Sequence, residues 1–157
     1  MARAREREAS RGELRQGELA VSVDGPASAG LHFLGRIRTP WKTRAECPRR
    51  GDLEGPLCRL EVDEPWRAAL AGIERHMHLQ VLYWMHLSRR DLVLQNPRGE
   101  GMIHGTFALR SPLRPNPIAS SVVALERIEG GTLCVRGLDC IDGTPLLDIK
   151  PEHCPKA

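Results

Sequence analysis

Cys58-Arg-Leu-Glu-Val62 alternates apolar with charged side chains. Successive side chains of an extended strand point to opposite faces, so Cys58, Leu60 and Val62 share one face while the charged residues share the other. Such alternation is typical of a strand with one face in the core and one in solvent. We therefore predict a half-buried β-strand over 58–62.

Short segments with the same period of two follow along the chain. They are rich in Val, Ile, Leu and aromatic residues and predict strands near 31–38, 78–86, 103–109, 120–127, 132–138 and 146–149. One helix is predicted to begin at Pro65 and to continue through Leu70 toward Ile73. Many short strands separated by Gly and Pro turns favour a mainly β protein. We expect a small closed or nearly closed β-barrel with one or two short helices.

The chain has 157 residues, of which 41% are hydrophobic, and this length accommodates one core. No apolar run approaches the roughly 18 residues of a membrane span, so no membrane association is expected. Residues 1–30 lack apolar periodicity and mix Arg with Glu, which predicts a flexible charged tail and no secretory signal. The domain is expected to cover 31–157, and the location to be cytoplasmic.

The net charge and the cysteine content exclude few classes of function. A net charge of +3, supplied almost entirely by arginine, is compatible with an RNA partner without demanding one. The five cysteines are odd in number and lack CxxC spacing, so we predict free thiols and no structural zinc. His76 and His78 alternate along one strand, but the spacing indicates no third ligand, and we expect no metal site.

Three prolines fall within six residues of the stretch Thr106-Phe-Ala-Leu-Arg-Ser-Pro-Leu-Arg-Pro-Asn-Pro-Ile118. Proline fixes φ and biases the preceding residue toward extended conformations, so Arg110, Arg114 and Asn116 would lose little entropy on gripping a ligand. This favours a preorganised site. The alternative is a Pro-rich connection whose arginines cap carbonyls or face solvent.

The stretch Leu138-Asp-Cys-Ile-Asp-Gly-Thr-Pro-Leu-Leu-Asp-Ile-Lys-Pro151 gathers three carboxylates around a tight turn at Asp142-Gly-Thr-Pro145. Asp139, Asp142 and Asp148 are able to accept hydrogen bonds from a ribose or an amino group, or to hold nearby arginines. The alternative for Asp142 is a purely structural Asx-turn.

These stretches carry a family resemblance. Over about residues 33 to 151 the chain resembles the TsaA-like family, which includes the bacterial tRNA methyltransferase O enzymes and their shorter archaeal relatives. The markers, besides the two long stretches above, are Gly35-Arg-Ile-Arg-Thr-Pro40, Cys47-Pro-Arg-Arg50 and Leu79-Gln-Val-Leu-Tyr-Trp-Met-His86. The long stretches preserve residue order, which makes the resemblance specific.

The resemblance implies an S-adenosylmethionine-dependent methyltransferase on a β-barrel, homodimeric, acting on N6 of a modified adenosine beside the tRNA anticodon. The cofactor-binding residues it implies are Pro48, Arg49, Arg50, His86, Leu87, Arg110, Leu138, Asp142, Gly143, Thr144 and Pro145. Asp139 or Asp142 is the expected catalytic proton acceptor. The expected substrate-binding residues are Arg114, Asn116 and Lys150.

Four positions depart from the family pattern. Arg50 and Leu87 occupy positions where the family has glutamine, which exchanges two amides for a fixed cation and an apolar group. Ala119 replaces a glycine and Glu152 a tyrosine on the substrate side. These changes leave open a non-catalytic module of the same fold that binds S-adenosylmethionine or another protein. Methylation of a small molecule or a protein is a third alternative.

Overall fold

The computed structural model describes residues 13–22, 26, 28–99 and 101–153. Within these ranges the chain forms nine β-strands and three 3-10 helices, at Glu64–Leu70, Ile73–Arg75 and Thr106–Ala108. The strands are β1 (Leu19–Ala20), β2 (Gly35–Arg38), β3 (Cys58–Val62), β4 (His78–Trp84), β5 (Leu92–Gln95), β6 (His104–Gly105), β7 (Ile118–Glu129), β8 (Thr132–Arg136) and β9 (Thr144–Pro151).

Six strands close into a barrel in the order β2-β3-β8-β7-β4-β9. Every neighbouring pair is antiparallel, and β9 closes the barrel because it pairs with both β2 and β4. The predicted mainly β class and closed barrel are confirmed. Closure leaves none of these six strands with an unpaired edge, which removes the sites where foreign strands could add.

The core of the barrel follows the predicted period of two. Cys58, Leu60 and Val62 are buried while Arg59 and Glu61 point outward, as expected for 58–62. Strand β4 alternates in the same way over seven residues. The buried side chains are mainly aliphatic, and they include Ile37, Leu60, Leu79, Val81, Tyr83, Val123, Leu133, Val135, Leu138 and Leu146.

The described residues divide into two compact units. The barrel unit comprises residues within 30–85 and 118–157, and the sheet unit comprises residues within 1–29 and 86–117. The sheet unit holds β1, β5 and β6 in the order β1-β5-β6. This grouping differs from the predicted division into a tail over 1–30 and one domain over 31–157, because Leu19–Ala20 pairs with β5. Residues 1–12 lie outside the described part of the chain.

Two local predictions need correction. The predicted helix from Pro65 is a 3-10 helix that ends at Leu70, and a second 3-10 helix begins at Ile73. Between them Gly72 adopts a φ of 88°, a left-handed conformation that interrupts helical hydrogen bonding. The strand predicted over 103–109 is limited to His104–Gly105 and continues as a 3-10 helix.

In the described part of the chain, no helix is both long and apolar enough to cross a membrane.

Candidate functional site

The predicted turn at Asp142-Gly-Thr-Pro145 is present in the barrel unit. The main-chain N–H of Thr144 donates to the carbonyl of Ile141 at 3.2 Å, and its hydroxyl donates to the same oxygen at 2.6 Å. The hydrogen-bonded turn therefore covers Ile141–Thr144, and Gly143 at its third position has a φ of 81°, which other residues rarely adopt. The turn is thus closed by its own hydrogen bonds and leads directly into β9.

Main-chain hydrogen bonds fasten this turn to the segment that follows β2. The N–H of Gly143 donates to the carbonyl of Ile37, and the N–H of Asp142 to that of Trp41, both at 2.8 Å. The buried hydroxyl of Thr39 donates to the carbonyl of Cys140 at 2.8 Å. The turn is therefore held on a rigid scaffold.

The carboxylate of Asp142 is committed to the same junction. It accepts hydrogen bonds from the ammonium of Lys42 at 2.7 Å and from the N–H of Thr39 at 3.1 Å. The Lys42 hydrogen bond, supported by that of Thr39, lowers the pKa of Asp142 below its ordinary value. A carboxylate held as an anion by two donors is a weak proton acceptor, so Asp142 is suited to fixing the turn.

Asp139 has a different environment. The phenol of Tyr83 donates to its Oδ1 at 2.6 Å and lies 2.7 Å from the hydroxyl of Ser121. Burial, with the charge of Asp139 as a further cause, raises the pKa of Tyr83, so the phenol stays protonated. Asp139 itself is partly exposed. The structure thus presents one carboxylate oriented by a buried donor.

The loop carrying Pro48, Arg49 and Arg50 is exposed but anchored on the side of Leu138. Gly51 follows this loop, and a Cβ at Gly51 would lie 1.8 Å from the carbonyl oxygen of Gly137. A larger residue at position 51 would force one of the two loops to shift. The residue that follows Arg50 therefore contacts the residue that precedes Leu138.

The start of this loop is capped by Glu46. Its Oε2 accepts from the N–H of Lys42 at 2.6 Å and from that of Thr43 at 2.8 Å. These main-chain donors lower the pKa of Glu46. The loop between Lys42 and Glu46 therefore has a defined shape without burial.

Three of the predicted cofactor residues are buried. Leu138 belongs to the barrel core, Pro145 is buried in β9, and the buried Thr144 donates its hydroxyl within the turn. Because their side chains are buried, these residues would contact a ligand through main-chain atoms. Gly143 is partly exposed and has nothing within 4 Å of its Cβ position.

Lys150 lies apart from the turn. It is five residues beyond Pro145 in the same strand, which corresponds to about 16 Å along β9. Its ammonium pairs with Asp148 on its own strand. The structure does not bring the predicted substrate residue Lys150 or the carboxylate of Asp148 to the turn.

The sheet unit holds the remaining predicted residues. His86, Leu87, Arg110 and Asn116 are exposed, whereas Arg114 is partly buried. The guanidinium of Arg114 donates to the carbonyls of Leu109 at 3.0 Å and Ser111 at 3.3 Å. Arg114 therefore braces its own loop, which is the alternative reading of this Pro-rich stretch.

Asn116 is also engaged within the sheet unit. Arg90 donates to the carbonyl of Pro115 at 2.6 Å and to the amide oxygen of Asn116 at 3.3 Å. Deeper in this unit the buried Gln95 donates to the hydroxyl of Thr106 at 2.8 Å and to the carbonyl of Leu113 at 2.6 Å. Hydrogen bonds thus hold the Pro-rich stretch at several points.

The cysteines that the structure describes are free. Cys58, Cys134 and Cys140 are buried, and Cys47 is partly buried. This confirms the prediction for four of the five, and Cys154 lies outside the described residues. Within the described ranges, no group of three or more His, Cys, Asp or Glu is arranged to hold a metal ion.

Comparison with known proteins bears on the whole arrangement. Residues 36–156 match the family model described as the tRNA-methyltransferase O (TrmO) N-terminal domain. The chain belongs to this family. The family model covers β2 through β9, and so includes the turn, the loop at Pro48 and the Pro-rich stretch.

Individual TrmO-family relatives show the extent of the similarity. A probable S-adenosyl-L-methionine-binding protein VirR of Rhizobium radiobacter is 55% identical over 140 residues, covering 89% of this chain and 80% of that protein. A mouse tRNA (adenine(37)-N6)-methyltransferase is 42% identical over 86 residues, covering 53% of this chain and 20% of that protein. The crystal structure of TrmO from Pseudomonas aeruginosa aligns with a TM-score of 0.65 at 35% identity, covering 81% of this chain and 57% of that one. This chain thus spans little more than half of the solved TrmO and a fifth of the mouse protein.

Three residues that contact Asp142, Asp139 or Gly137 were not predicted from the sequence. Lys42 is one of only three lysines, and its partner Asp142 lies 100 residues away. Tyr83 lies in a largely apolar strand. Its hydroxyl was the feature of the sequence that could have indicated a polar partner such as Asp139. Gly51 directly follows the Arg50 of a predicted motif, and the close approach of Gly137 leaves no trace in the sequence.

Proposed function

We propose that this chain is an S-adenosylmethionine-dependent methyltransferase that modifies N6 of an adenosine beside the anticodon of tRNA. Membership of the TrmO N-terminal domain family supports the reaction class. The S-adenosyl-L-methionine-binding name of the Rhizobium relative supports the cofactor, and the name of the mouse relative supports the acceptor. Because the chain spans only part of several relatives, the acceptor is the part that most needs direct measurement.

The fastening of the turn at Asp142 to the segment after β2 is the observation that carries the proposal. Lys42 holds the turn through an ion pair with Asp142, the N–H of Thr39 donates to the same carboxylate, and the carbonyl of Trp41 accepts a main-chain hydrogen bond from Asp142. A methyltransferase forms no covalent bond to its substrate, because the methyl group passes directly from donor to acceptor. Alignment of the two therefore supplies most of the rate enhancement. A turn fixed in advance provides such alignment at low entropic cost.

The barrel unit offers a donor set that suits S-adenosylmethionine. This cofactor has cationic ammonium and sulfonium groups, ribose hydroxyls and a carboxylate. The exposed guanidinium of Arg49 suits the carboxylate of the cofactor. Main-chain atoms of Leu138 and of Gly143 would supply further polar groups. The chemistry of these residues suits the cofactor.

Asp139 is our choice for the proton acceptor. When bound, S-adenosylmethionine supplies a methyl group already activated by its sulfonium. The N6 amine of adenine is a weak nucleophile because its lone pair is delocalised, and it must lose a proton. The phenol of Tyr83 orients Asp139 through a hydrogen bond of 2.6 Å. Asp142, in contrast, is held as an anion by its ion pair with Lys42. Of the two carboxylates, Asp139 is the one suited to receive that proton.

Calorimetry with S-adenosylmethionine tests the cofactor, and labelled methyl transfer to tRNA from a deletion strain tests the reaction. We expect binding and incorporation of label into an N6-methylated adenosine, identified by nucleoside mass spectrometry. Absence of binding at millimolar cofactor would refute the proposal. Binding without methylation of tRNA would favour the non-catalytic module, for which Arg50 and Leu87 in place of two glutamines are the sequence signal.

Substitution to the isosteric asparagine distinguishes the roles of Asp139 and Asp142. We expect Asp139→Asn to lower kcat for methyl transfer by about 100-fold or more, the usual contribution of a general base, while S-adenosylmethionine affinity changes only a few-fold. Asp142→Asn should instead weaken cofactor affinity by loosening the turn. The reverse pattern would assign the proton acceptor to Asp142.

We also propose that the protein acts in the cytoplasm as a homodimer. The tRNA acceptor supports the location. Large apolar side chains exposed on the sheet unit support self-association, foremost Phe107, of which 84% is exposed, and Met102, of which 68% is exposed. Sedimentation velocity at micromolar concentration tests the dimer.

A further inference from the structure

The outer surface of β2 and β3 carries a concentration of positive charge that the methyl-transfer site does not use. Ile37 and Leu60 fill the barrel, so Arg36, Arg38 and Arg59 project from the opposite face of these strands. We call these three residues the arginine face.

The pairing of β2 with β3 places like charges beside each other. Arg38 lies directly opposite Arg59, and Arg36 lies opposite Glu61. Side chains directly opposite on antiparallel strands are only about 5 Å apart at Cβ, and like charges there destabilise a sheet. The Arg38 and Arg59 pair therefore carries an electrostatic cost, which the ion pair between Arg38 and Glu61 offsets only for Arg38.

The carboxylates near this face are already engaged. Glu61 accepts a hydrogen bond from Arg38 at 2.8 Å, and Asp142 accepts from Lys42 at 2.7 Å. The carboxylate of Glu129 is likewise engaged, because its Oε1 pairs with Arg127 at 2.5 Å. Among the described residues, Arg36 and Arg59 consequently have no carboxylate ion-pair partner of their own.

The arginine face borders the candidate cofactor turn. The guanidinium of Arg36 lies 3.4 Å from the carbonyl oxygen of Gly143, and that of Arg38 lies 4.0 Å from Asp142. Arg36 and Arg38 are two residues apart, which spaces them by about 7 Å along the strand. A polyanion lying on this face would pass directly beside the turn.

We propose that the arginine face binds phosphate groups of the RNA substrate and so delivers the acceptor to the turn. The identity of the polyanion rests on the proposed function, whereas the location of its binding surface rests on the strand register. Guanidinium groups suit this task because their planar forks match phosphate oxygens and remain charged at all physiological pH values. Phosphate contacts of this kind position a nucleic acid without reading its sequence.

The test measures tRNA binding in the absence of S-adenosylmethionine, by fluorescence anisotropy over a series of salt concentrations. The double substitution Arg36→Ala with Arg59→Ala is expected to weaken tRNA binding roughly tenfold at low salt. The slope of log K against log salt should fall in magnitude by about 1.5, since each lost phosphate contact releases roughly 0.7 to 0.9 fewer counterions. The Arg36→Lys with Arg59→Lys variant keeps both charges and should retain most of the slope.

Arg75→Ala is the matched control. Arg75 is an arginine of the barrel unit outside the arginine face, its side chain is 83% exposed, and it lies 4.0 Å from Glu74. We expect this control to bind tRNA as the unmodified protein does. Thermal melting establishes that every variant is folded, which is expected because the substituted side chains lie on the surface. Because Arg75→Ala removes a single charge, it is compared with Arg36→Ala and Arg59→Ala made one at a time. Equal losses of tRNA binding in these three single variants would show a dependence on net charge alone and overturn the proposal.

Vesicles containing phosphatidylserine provide the remaining comparison. Loss of vesicle binding with unchanged tRNA binding in the double variant would assign the arginine face to a lipid surface and overturn the proposal. The result is also separable from the proposed function. If tRNA binding depends on Arg36 and Arg59 but no methyl group is transferred, the proposed reaction fails and the binding surface stands. If methylation proceeds and the double variant binds tRNA normally, the binding surface fails alone.

Discussion

Asp142 shows how one side chain serves the turn through its charge. Its pKa lies below the ordinary value of 3.8 because Lys42 and the N–H of Thr39 hold the charged form. A carboxylate with a lowered native pKa stabilises the fold above its unfolded pKa and loses that contribution as the pH falls through the native value. The contribution of Asp142 is therefore complete at neutral pH and disappears only in strong acid.

We predict that Asp142→Asn lowers the free energy of unfolding by about 1 to 2 kcal/mol at pH 7, the range for a charge-assisted hydrogen bond that is partly screened by solvent. Urea denaturation at a series of pH values measures the difference. The difference should shrink as the pH falls below 3.8, because protonated Asp142 and asparagine carry the same charge. A difference that is constant from pH 7 to pH 2 would show that charge plays no part.

The sequence identified Asp142 but not its role. An Asp-Gly pair predicts a turn from the backbone preferences of both residues, and that prediction is local. The partner Lys42 lies 100 residues earlier, and only the pairing of β2 with β9 brings the two together. The same holds for Asp139, whose orientation depends on Tyr83 from another strand. Roles that depend on tertiary partners could not be read from spacing.

At the scale of elements, local periodicity predicted most of the barrel. The alternation in β3 and the apolar run of β4 are properties of the strands themselves. Strand β1 has two residues and β5 has four, too few to establish a period, and neither was predicted. The helix at Pro65 was predicted from its first residue, yet it buries no side chain completely and forms a 3-10 helix, which short segments without a buried face often adopt.

The contact between Gly51 and Gly137 joins two loops of the barrel unit, and we predict that Gly51→Ala disrupts it. The added methyl group would lie 1.8 Å from a carbonyl oxygen, so one loop must move. We expect a loss of about 1 to 3 kcal/mol in unfolding free energy, as for other overpacked sites, together with weaker S-adenosylmethionine binding. Denaturant unfolding and calorimetry measure the two effects.

Gly30→Ala is the control for this substitution. Gly30 belongs to the same unit and has nothing within 4 Å of its Cβ position. The substitution should leave both stability and cofactor affinity close to those of the unmodified protein. Cofactor binding that is unaffected by Gly51→Ala would argue that the loop at Pro48 contributes nothing to the site.

At the scale of the whole molecule, the buried thiols report on opening of the barrel. Burial raises the pKa of Cys58 to about 11 and that of Cys140 to about 12. At pH 8 the thiolate fraction of Cys58 in the folded state is therefore about one in a thousand, so reaction with Ellman's reagent should require unfolding. We predict one rapidly labelled group, limited to cysteines outside the core such as Cys47, and a slow group that includes Cys58 and Cys140.

The sign of the pH effect follows from the same pKa values. A thiol whose native pKa is raised stabilises the fold fully below its unfolded pKa, near 9, and loses that contribution as the pH rises toward the native value. The protein should become less stable between pH 9 and pH 11, and Cys140→Ser should reduce this alkaline loss. Rapid labelling of all described cysteines at pH 8 would contradict the buried assignment.

Self-association is the last prediction at this scale. The chain has two phenylalanines, and one of them, Phe107, is 84% exposed on a short 3-10 helix. That helix is anchored by Thr106, whose buried hydroxyl donates to the carbonyl of Leu92 at 2.8 Å, so the ring is presented on a fixed support.

A two-fold dimer would bury the same residue from both copies. Full burial of one phenylalanine contributes about 1.5 to 3 kcal/mol, so Phe107→Ser should weaken a dimer that buries it by roughly tenfold to a hundredfold per ring. Sedimentation velocity across a concentration series measures this shift, and an unmodified protein that stays monomeric at all concentrations would refute the dimer and leave Phe107 for another partner.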